Sequence, residues 1–297
     1  MIPDIVEKIA NAVLYEGYML YPYRPSAVKN QQRFNFGVLY PREYCELQTG
    51  SDIWQMQTEC VLRGNAVTPV EVKVRFLQLF THQDHQEGID RAVCTLASGL
   101  RSLEVQSLRQ KFRFNGVDGE LDLRAQRLSD GCFRISLVVR NLARLANSAG
   151  RNRDEILLRS LVSVHSILHT DGGRFVSSLD PPEPFRAAVA ECRNIGAWPV
   201  LVGDEGQCDT VLSAPIILYD YPQIAPESPG DLFDSTEIDE ILALRILTLT
   251  DAEKSEVRNG DDRARRILER TEMLPPEHFQ KLHGALRGMR ASPEERP

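Results

Sequence analysis

No uninterrupted apolar run in this chain approaches the roughly 20 residues that a membrane-spanning helix requires. The first residues, Met-Ile-Pro-Asp-Ile-Val-Glu, lack the basic region and apolar stretch of a secretory signal peptide. Positive charge is also in deficit, because the formal net charge is −7. We therefore expect a cytoplasmic protein without a membrane span, and one that does not bind nucleic-acid backbones in general.

The short motifs of common metal and nucleotide sites are missing as well. No two cysteines form a C-x-x-C pair, and no glycines form G-x-x-x-x-G-K-[ST], G-x-G-x-x-G or G-x-S-x-G. We expect reduced, mostly buried thiols, no bound metal or cofactor, and a protein that binds rather than catalyses. The cysteines are Cys45, Cys60, Cys94, Cys132, Cys192 and Cys208.

Two histidine pairs remain as candidate metal ligands. His165 and His169 would point the same way from a strand, but Ser166 stands where H-E-x-x-H requires glutamate. Strand-surface or hydrogen-bonded histidines are therefore favoured over a metal site. His82 and His85 lie in the sequence Thr-His-Gln-Asp-His, which indicates a polar loop.

Apolar periodicity predicts an α+β protein with a mainly antiparallel, β-rich body, an N-terminal helix and a C-terminal helical segment. Ile5, Ile9 and Val13 recur every four residues with Val6 beside them, which predicts a helix over 3–19. Alternating side chains predict strands over 54–62 and 70–76. Further strands are predicted over 34–40, 163–170, 174–178 and 211–219, and short helices over 154–161 and 185–192.

The clearest hairpin joins residues 120–127 to residues 132–140. Alternate apolar side chains of the two segments, such as Leu121 and Leu123, face each other across a Ser129-Asp130-Gly131 turn. Such a short connection requires antiparallel pairing.

The composition changes after Tyr221, where prolines punctuate an acidic stretch. We predict a β-rich α+β domain over 1–225, followed by an acidic linker and helical segment over 226–297. Asp234 and Glu237 have the spacing of a capping box, which explains them as a helix start. A docking surface that includes Asp231 and Asp234 is the alternative. The predicted helices cover 237–245, 251–273 (with a weak point at Asn259-Gly260) and 276–289.

Six of the eight tyrosines fall between residues 15 and 44, interleaved with basic and amide side chains. Tyrosine and arginine are enriched at the centres of binding surfaces, and proline-held loops often carry recognition residues. A purely structural role for these aromatic residues is the alternative. The predicted partner-binding residues here are Tyr18, Tyr21, Tyr23, Arg24, Lys29 and Arg33.

Three phrases of the sequence resemble uncharacterised bacterial proteins encoded beside nickel–iron hydrogenases, especially the actinobacterial-type uptake enzymes. They are Leu14-Tyr-Glu-Gly-Tyr-Met-Leu-Tyr-Pro-Tyr-Arg-Pro-Ser-Ala-Val-Lys-Asn30, Phe36-Gly-Val-Leu-Tyr-Pro41, and Ile217-Leu-Tyr-Asp-Tyr-Pro-Gln-Ile-Ala-Pro-Glu-Ser-Pro-Gly-Asp-Leu-Phe-Asp234. The resemblance implies a cytoplasmic accessory or assembly role and transfers no active-site residue.

The leading hypothesis is a noncatalytic accessory, assembly or scaffolding protein for a nickel–iron hydrogenase. It would contact a hydrogenase subunit or maturation factor through residues 18–44 and the acidic stretch 219–240. The competing hypothesis is an enzyme or binding protein whose Tyr23, Arg24, Lys29 and Arg33 hold an anionic small molecule. Stacking on single-stranded nucleic acid is a third reading, which the acidic net charge disfavours.

Overall fold

The computed structural model describes residues 2–16, 37–47, 50–82, 85–145 and 152–223, together with ten single positions between 250 and 273. The chain divides into two compact units, and the described residues up to 223 belong to the first. The predicted domain boundary after residue 225 lies outside the described residues and stays a prediction.

The described residues of the first unit form eleven strands and five short helices. The helices are α1 (Asp4–Glu16), α2 (Arg42–Leu47), α3 (Leu100–Val105), α4 (Arg153–Leu157) and α5 (Arg186–Ala190), which follows a 3-10 turn over Glu183–Phe185. The strands are β1 (Gln55–Arg63), β2 (Pro69–His82), β3 (His85–Cys94), β4 (Ser98–Gly99), β5 (Leu108–Phe114), β6 (Val117–Ser129), β7 (Cys132–Asn141), β8 (Val162–Thr170), β9 (Arg174–Phe175), β10 (Trp198–Leu201) and β11 (Thr210–Ala214).

These strands make two sheets whose named pairings are all antiparallel. Sheet I has the order β5-β6-β7-β1-β9, and sheet II has the order β10-β11-β8-β2-β3, with β4 also paired to β2. The predicted fold class, a mainly antiparallel β-rich body with short helices, is thereby confirmed in its coarse form. The C-terminal helical segment stays a prediction.

The inner faces of the two sheets pack together around one apolar core. Alternate residues of β1, β2, β6, β7 and β8 point into it, because side chains of a strand alternate between its two faces. One buried hydrogen bond crosses the core, where the hydroxyl oxygens of Thr58 on β1 and Ser213 on β11 lie 2.6 Å apart. Two facing sheets with a shared core make a sandwich.

The predicted hairpin is confirmed in position and register. Leu121 pairs with Val139 and Leu123 with Leu137 along β6 and β7. Asp130 and Gly131 form the turn, and Gly131 has φ +70°, a left-handed conformation that glycine adopts without a Cβ penalty. The strands predicted at 54–62, 70–76 and 163–170 are also present, as β1, the first half of β2, and β8.

The predicted N-terminal helix is present as α1 and packs on the outer face of sheet II. Its buried stripe consists of Val6, Ile9, Ala10 and Val13, against Ile167, Leu212 and Ala214 of the sheet. Ile5 was predicted on this stripe but is 42% exposed. A stripe of i, i+3, i+4 and i+7 from Val6 places Ile5 one position off the contact.

Several sequence predictions need correction in the region of β8 and β9. Residues 174–178 were predicted as a strand, but β9 contains only Arg174 and Phe175 and pairs with β1 of sheet I, so the chain changes sheets after β8. Residues 211–219 form only the short strand β11. In the predicted strand 34–40, the described residues form no strand. Leu39 makes two isolated bridges, a parallel one with Ile53 and an antiparallel one with Leu161.

Described positions of the second unit bear on the helix predicted over 251–273 with a weak point at Asn259-Gly260. Glu272 forms ion pairs with Lys254 (3.1 Å) and Arg258 (2.8 Å). A continuous helix would place residues 254 and 272 about 27 Å apart. The two positions are each helical, so they belong to separate helical stretches. The helix predicted over 251–273, with its weak point at Asn259-Gly260, otherwise stays a prediction, because residues 259–264 lie outside the described residues.

Candidate functional site

Every predicted partner-binding residue lies outside the described residues. These are Tyr18, Tyr21, Tyr23, Arg24, Lys29, Arg33, Asp231 and Asp234. Their assignment stays a prediction, and the site must be sought among the described parts of the sandwich.

The described end of the tyrosine-rich segment has a structural role. Tyr40 is 3% exposed, its hydroxyl accepts a hydrogen bond from Arg153, and the Arg153 guanidinium lies 5.2 Å from its ring centre. Burial raises the pKa of Tyr40 to about 12. Tyr44 packs beside it with ring centres 5.3 Å apart. Tyr40 is therefore part of the packing that attaches the segment to α4, and not an exposed recognition residue.

The histidines of β8 are buried rather than on the surface. His169 is 8% exposed, and its Nδ1 lies 2.9 Å from the Thr210 hydroxyl. His165 is fully buried under α1; its Nδ1 lies 3.1 Å from the Ser163 carbonyl, and its Nε2 has no hydrogen-bond partner. Burial lowers the pKa of His165 to about 4, so the ring is neutral at physiological pH. Within the described residues, no cluster of His, Cys, Asp or Glu side chains could hold a metal ion.

Ion pairs join α1 to sheet II next to His165. The Arg75 side chain is 5% exposed and its guanidinium bonds Glu7 (3.4 Å), Asn11 (2.6 Å) and Asp90 (2.5 Å). Lys73 reaches the other oxygen of Glu7 at 2.5 Å. Two cations face two carboxylates here, so the cluster is balanced, and its donors already bond protein groups. This arrangement fastens the helix, and its charges are already paired within the protein.

The remaining histidine and cysteine predictions are partly wrong. His82 and His85 were predicted in a loop, but their backbones pair directly at the end of β2 and β3. All six cysteines are free, yet only Cys60 and Cys132 are buried, and Cys94 is exposed.

Cys208 lies between two polar side chains. Arg174 Nη2 donates to its sulfur at 3.4 Å, and the Tyr221 hydroxyl lies 3.6 Å from the same atom. Burial raises the pKa of Tyr221 to about 12. A phenol that stays protonated at neutral pH is not a base for the neighbouring thiol.

The outer face of sheet I is the exposed charged surface of the sandwich. Here α5 covers only the end that carries Val61 and Cys132. The other end, across β5, β6 and β7, displays charged side chains because alternate residues of each strand point outward. We name its five basic residues the arginine face: Arg109, Lys111, Arg113, Arg124 and Arg140.

Asp122 lies at the centre of the arginine face and is 1% exposed. Its Oδ2 accepts a hydrogen bond from Arg109 Nε at 3.1 Å. The same oxygen lies 3.6 Å from Arg124 Nη2 and 3.8 Å from Arg140 Nη1. Its Oδ1 is buried without a hydrogen-bond partner. The three arginines therefore gather around a carboxylate of the protein itself, which orders them, while Arg109 and Arg124 stay exposed.

Further ion pairs order the rest of the face. Arg113 Nε bonds Asp118 at 2.5 Å, and Arg140 Nη1 bonds Glu120 at 3.1 Å. Lys111 stands opposite Glu120 in the register of β5 and β6. Five basic side chains thus meet three acidic ones, so the face carries excess positive charge on a chain of net charge −7.

Sequence reasoning missed this face because it missed β5. The signal was present: Leu108, Gln110, Phe112 and Phe114 alternate with Arg109, Lys111 and Arg113, and an Asn115-Gly116 turn follows. Period-2 alternation next to a glycine turn predicts a hairpin strand. The pairing with β6 is confirmed over all seven residues of β5.

Comparisons with known proteins assign no function to this site. No protein-family model matches the chain, and no curated protein matches it. Among the described residues, no helix combines the length and the apolar character needed to cross a bilayer.

Proposed function

We propose that this chain is a noncatalytic accessory protein of the cytoplasm that helps to assemble, mature or scaffold a nickel–iron hydrogenase. The hydrogenase partner is taken from the resemblance of residues 14–30, 36–41 and 217–234 to proteins encoded beside such enzymes. In this proposal the protein acts by binding a hydrogenase subunit or a maturation factor.

The arginine face is the observation that supports a binding role. Four of its five side chains are exposed, and solvent reaches 64% of Arg109, 82% of Arg113 and 53% of Arg124. Arg140 is only 23% exposed. Arginine is enriched in protein interfaces because its planar guanidinium makes several directed hydrogen bonds. An excess of positive charge favours an acidic protein surface and raises the rate of encounter with it.

The arginine face gives less support to a site for an anionic small molecule. Asp122 occupies the point where Arg109, Arg124 and Arg140 converge, and a second anion there would meet its charge. The sheet is also broad and strand-formed, whereas small-molecule sites are concave. Binding to an extended protein surface fits this geometry better.

The test is recovery of partners from the native host at normal expression. We expect tagged protein to co-purify with a hydrogenase subunit or maturation factor, and a variant with Arg124→Glu and Lys111→Glu to recover much less. The control variant carries Arg101→Glu and Arg186→Glu, the same charge change on exposed helix positions. Recovery of no hydrogenase component with the unaltered protein would overturn the proposal.

A further inference from the structure

We propose that the outer edge of β5, with which no other described strand pairs, binds an extended, acidic segment of a partner protein that joins sheet I as an additional strand. This inference rests on the proposed function, because it names how the accessory protein holds its partner. It concerns the backbone edge of the sheet and the three basic side chains of β5.

The position of β5 provides the edge. It is the terminal strand of sheet I and pairs with β6 along its whole length, and no other strand of the described chain pairs with it. A terminal strand leaves backbone N–H and C=O groups unpaired on its outer side. Such groups bind an incoming extended segment by main-chain hydrogen bonds, which is the established mode of strand addition.

The edge is already held in place by inward contacts. Phe112 and Phe114 pack on Phe76 of sheet II, with ring centres 5.7 and 5.8 Å apart. Gln110 Nε2 donates to the Cys94 carbonyl at 3.1 Å. Opposite Phe112 stands Gly119, where a Cβ would lie 2.2 Å from the ring, so the ring lies against backbone. Because these contacts already order β5, it loses little conformational entropy when a partner binds.

The outward side chains of β5 decide which segment fits. Arg109 and Arg113 bond the sheet through Nε, and within the described chain their terminal nitrogens have no partner. Lys111 forms no ion pair with any described residue. Three cations therefore stand on alternate residues of an exposed edge, with terminal donors facing solvent.

These charges argue against a second copy of the chain as the occupant. If two β5 strands paired antiparallel about their centres, Lys111 would face Lys111 and Arg109 would face Arg113. Like charges directly opposite each other destabilise a strand pair. A segment with carboxylates at alternate positions would instead place an opposite charge beside each cation. The proposal therefore commits to an acidic partner strand.

The experiment uses the full chain and two synthetic nine-residue peptides. One alternates glutamate with valine, and the other has lysine in place of each glutamate. We expect the glutamate peptide to bind about tenfold more tightly or better, since the three cations of β5 attract the glutamate peptide and repel the lysine peptide. Fluorescence anisotropy measures the affinities, and amide hydrogen exchange measures protection of residues 108–114.

A charge-reversed edge provides the matched variant. With Arg109, Lys111 and Arg113 all changed to Glu, we expect the preference to switch to the lysine peptide. If that variant does not fold, the single change Lys111→Glu breaks no ion pair among described residues and should reduce the preference. Arg101→Glu, on α3, is the control and should leave it unchanged.

Three outcomes would overturn the inference: equal binding of both peptides, an unchanged preference in the reversed variants, or binding without slower exchange in β5. The last result would mean that the peptide lies on the face and not on the edge. Failure here is separable from failure of the proposed function. Co-purification of a hydrogenase component that survives the Lys111→Glu change would preserve the function and reject β5 as its contact.

Discussion

The outer faces of the two sheets differ in what covers them. On sheet II, α1 buries Ile167, Leu212 and Ala214, and the ion pairs of the buried Arg75 fasten the helix to β2 and β3. On sheet I, α5 covers only one end, and the arginine face stays in contact with solvent. Both sheets share the same inner core, so the difference arises from the outward residues alone.

This difference separates stability from recognition. An apolar outward residue such as Ile167 requires a cover, because its exposure to water costs free energy. An outward arginine requires none, and it can form bonds with a partner later. We therefore expect substitutions on the covered face to change stability, and substitutions on the open face to change binding.

The largest effect should come from Ile167→Ala, which removes apolar atoms beneath α1. Ile167 is fully buried, and Ile→Ala changes in cores cost about 2–5 kcal/mol because a cavity remains. Chemical denaturation measures the free energy of unfolding. Ile167→Val is the control, with an expected cost of about 0.5–1.5 kcal/mol. Equal stability of the Ala variant and the unaltered protein would show that α1 does not seal this face.

The second effect is a loss of stability in acid through His165. Its folded pKa of about 4 lies below the ordinary 6.5, so between these values the unfolded chain binds a proton that the folded chain excludes. Stability is therefore full above pH 6.5 and falls as the pH decreases toward 4, by about 2 kcal/mol between about pH 7 and about pH 5. Arg75 and Lys73 oppose the protonated ring, while Asp90 favours it.

Denaturation at several pH values tests this expectation. In a His165→Gln variant the free energy of unfolding should change little between about pH 7 and about pH 5, because glutamine does not titrate. An unchanged pH dependence in that variant would assign the acid sensitivity to other groups.

A smaller effect is expected for Asp122→Asn on the open face. The change weakens the bond from Arg109, but Arg109 is 64% exposed and the other two arginine contacts are long. Solvent screens such pairs, so we expect a cost of about 1 kcal/mol. Asp118→Asn, whose partner Arg113 is 82% exposed, should cost less. A loss as large as that of Ile167→Ala would mean that the arginine face also holds the fold together.

The smallest effect on stability is expected for Arg124→Ala, within about 0.5 kcal/mol, because the side chain is 53% exposed and its one contact to Asp122 is 3.6 Å. Partner recovery from the native host should nevertheless fall. Thermal unfolding and co-purification measured on the same protein would show the two effects apart. A fall in melting temperature of several degrees would remove the distinction between the faces.

Apolar periodicity and turn residues predicted the elements in which these patterns are strong. They missed the strands that form because a partner distant in the sequence pairs with them. The β6–β7 hairpin needed only alternation and an Asp-Gly turn, and α1 needed only its apolar stripe. β3 has few apolar residues and a central Gly88, and it exists because the long strand β2 pairs with it. β9 pairs with β1, more than a hundred residues earlier, which no local pattern indicates.

The candidate site followed the same rule. The predicted recognition residues lie outside the described chain, while the arginine face depends on β5, β6 and β7 lying side by side. Arg109, Arg124 and Arg140 are far apart in sequence, and only the strand register brings them to one carboxylate. Sequence could have predicted β5, but not the convergence on Asp122.

The strand order of sheet I also sets the order in which the chain can fold. β5, β6 and β7 are consecutive neighbours joined by short turns, so they pair with little loss of loop entropy. β1 is synthesised first, yet its partner is β7, whose pairing residues begin at Cys132. We expect the β5–β7 meander to form first. The pairing of β1 with β7 should be slower, because it joins residues that are distant in the sequence. Until β1 pairs, the backbone groups of β7 on the side away from β6 have no strand partner.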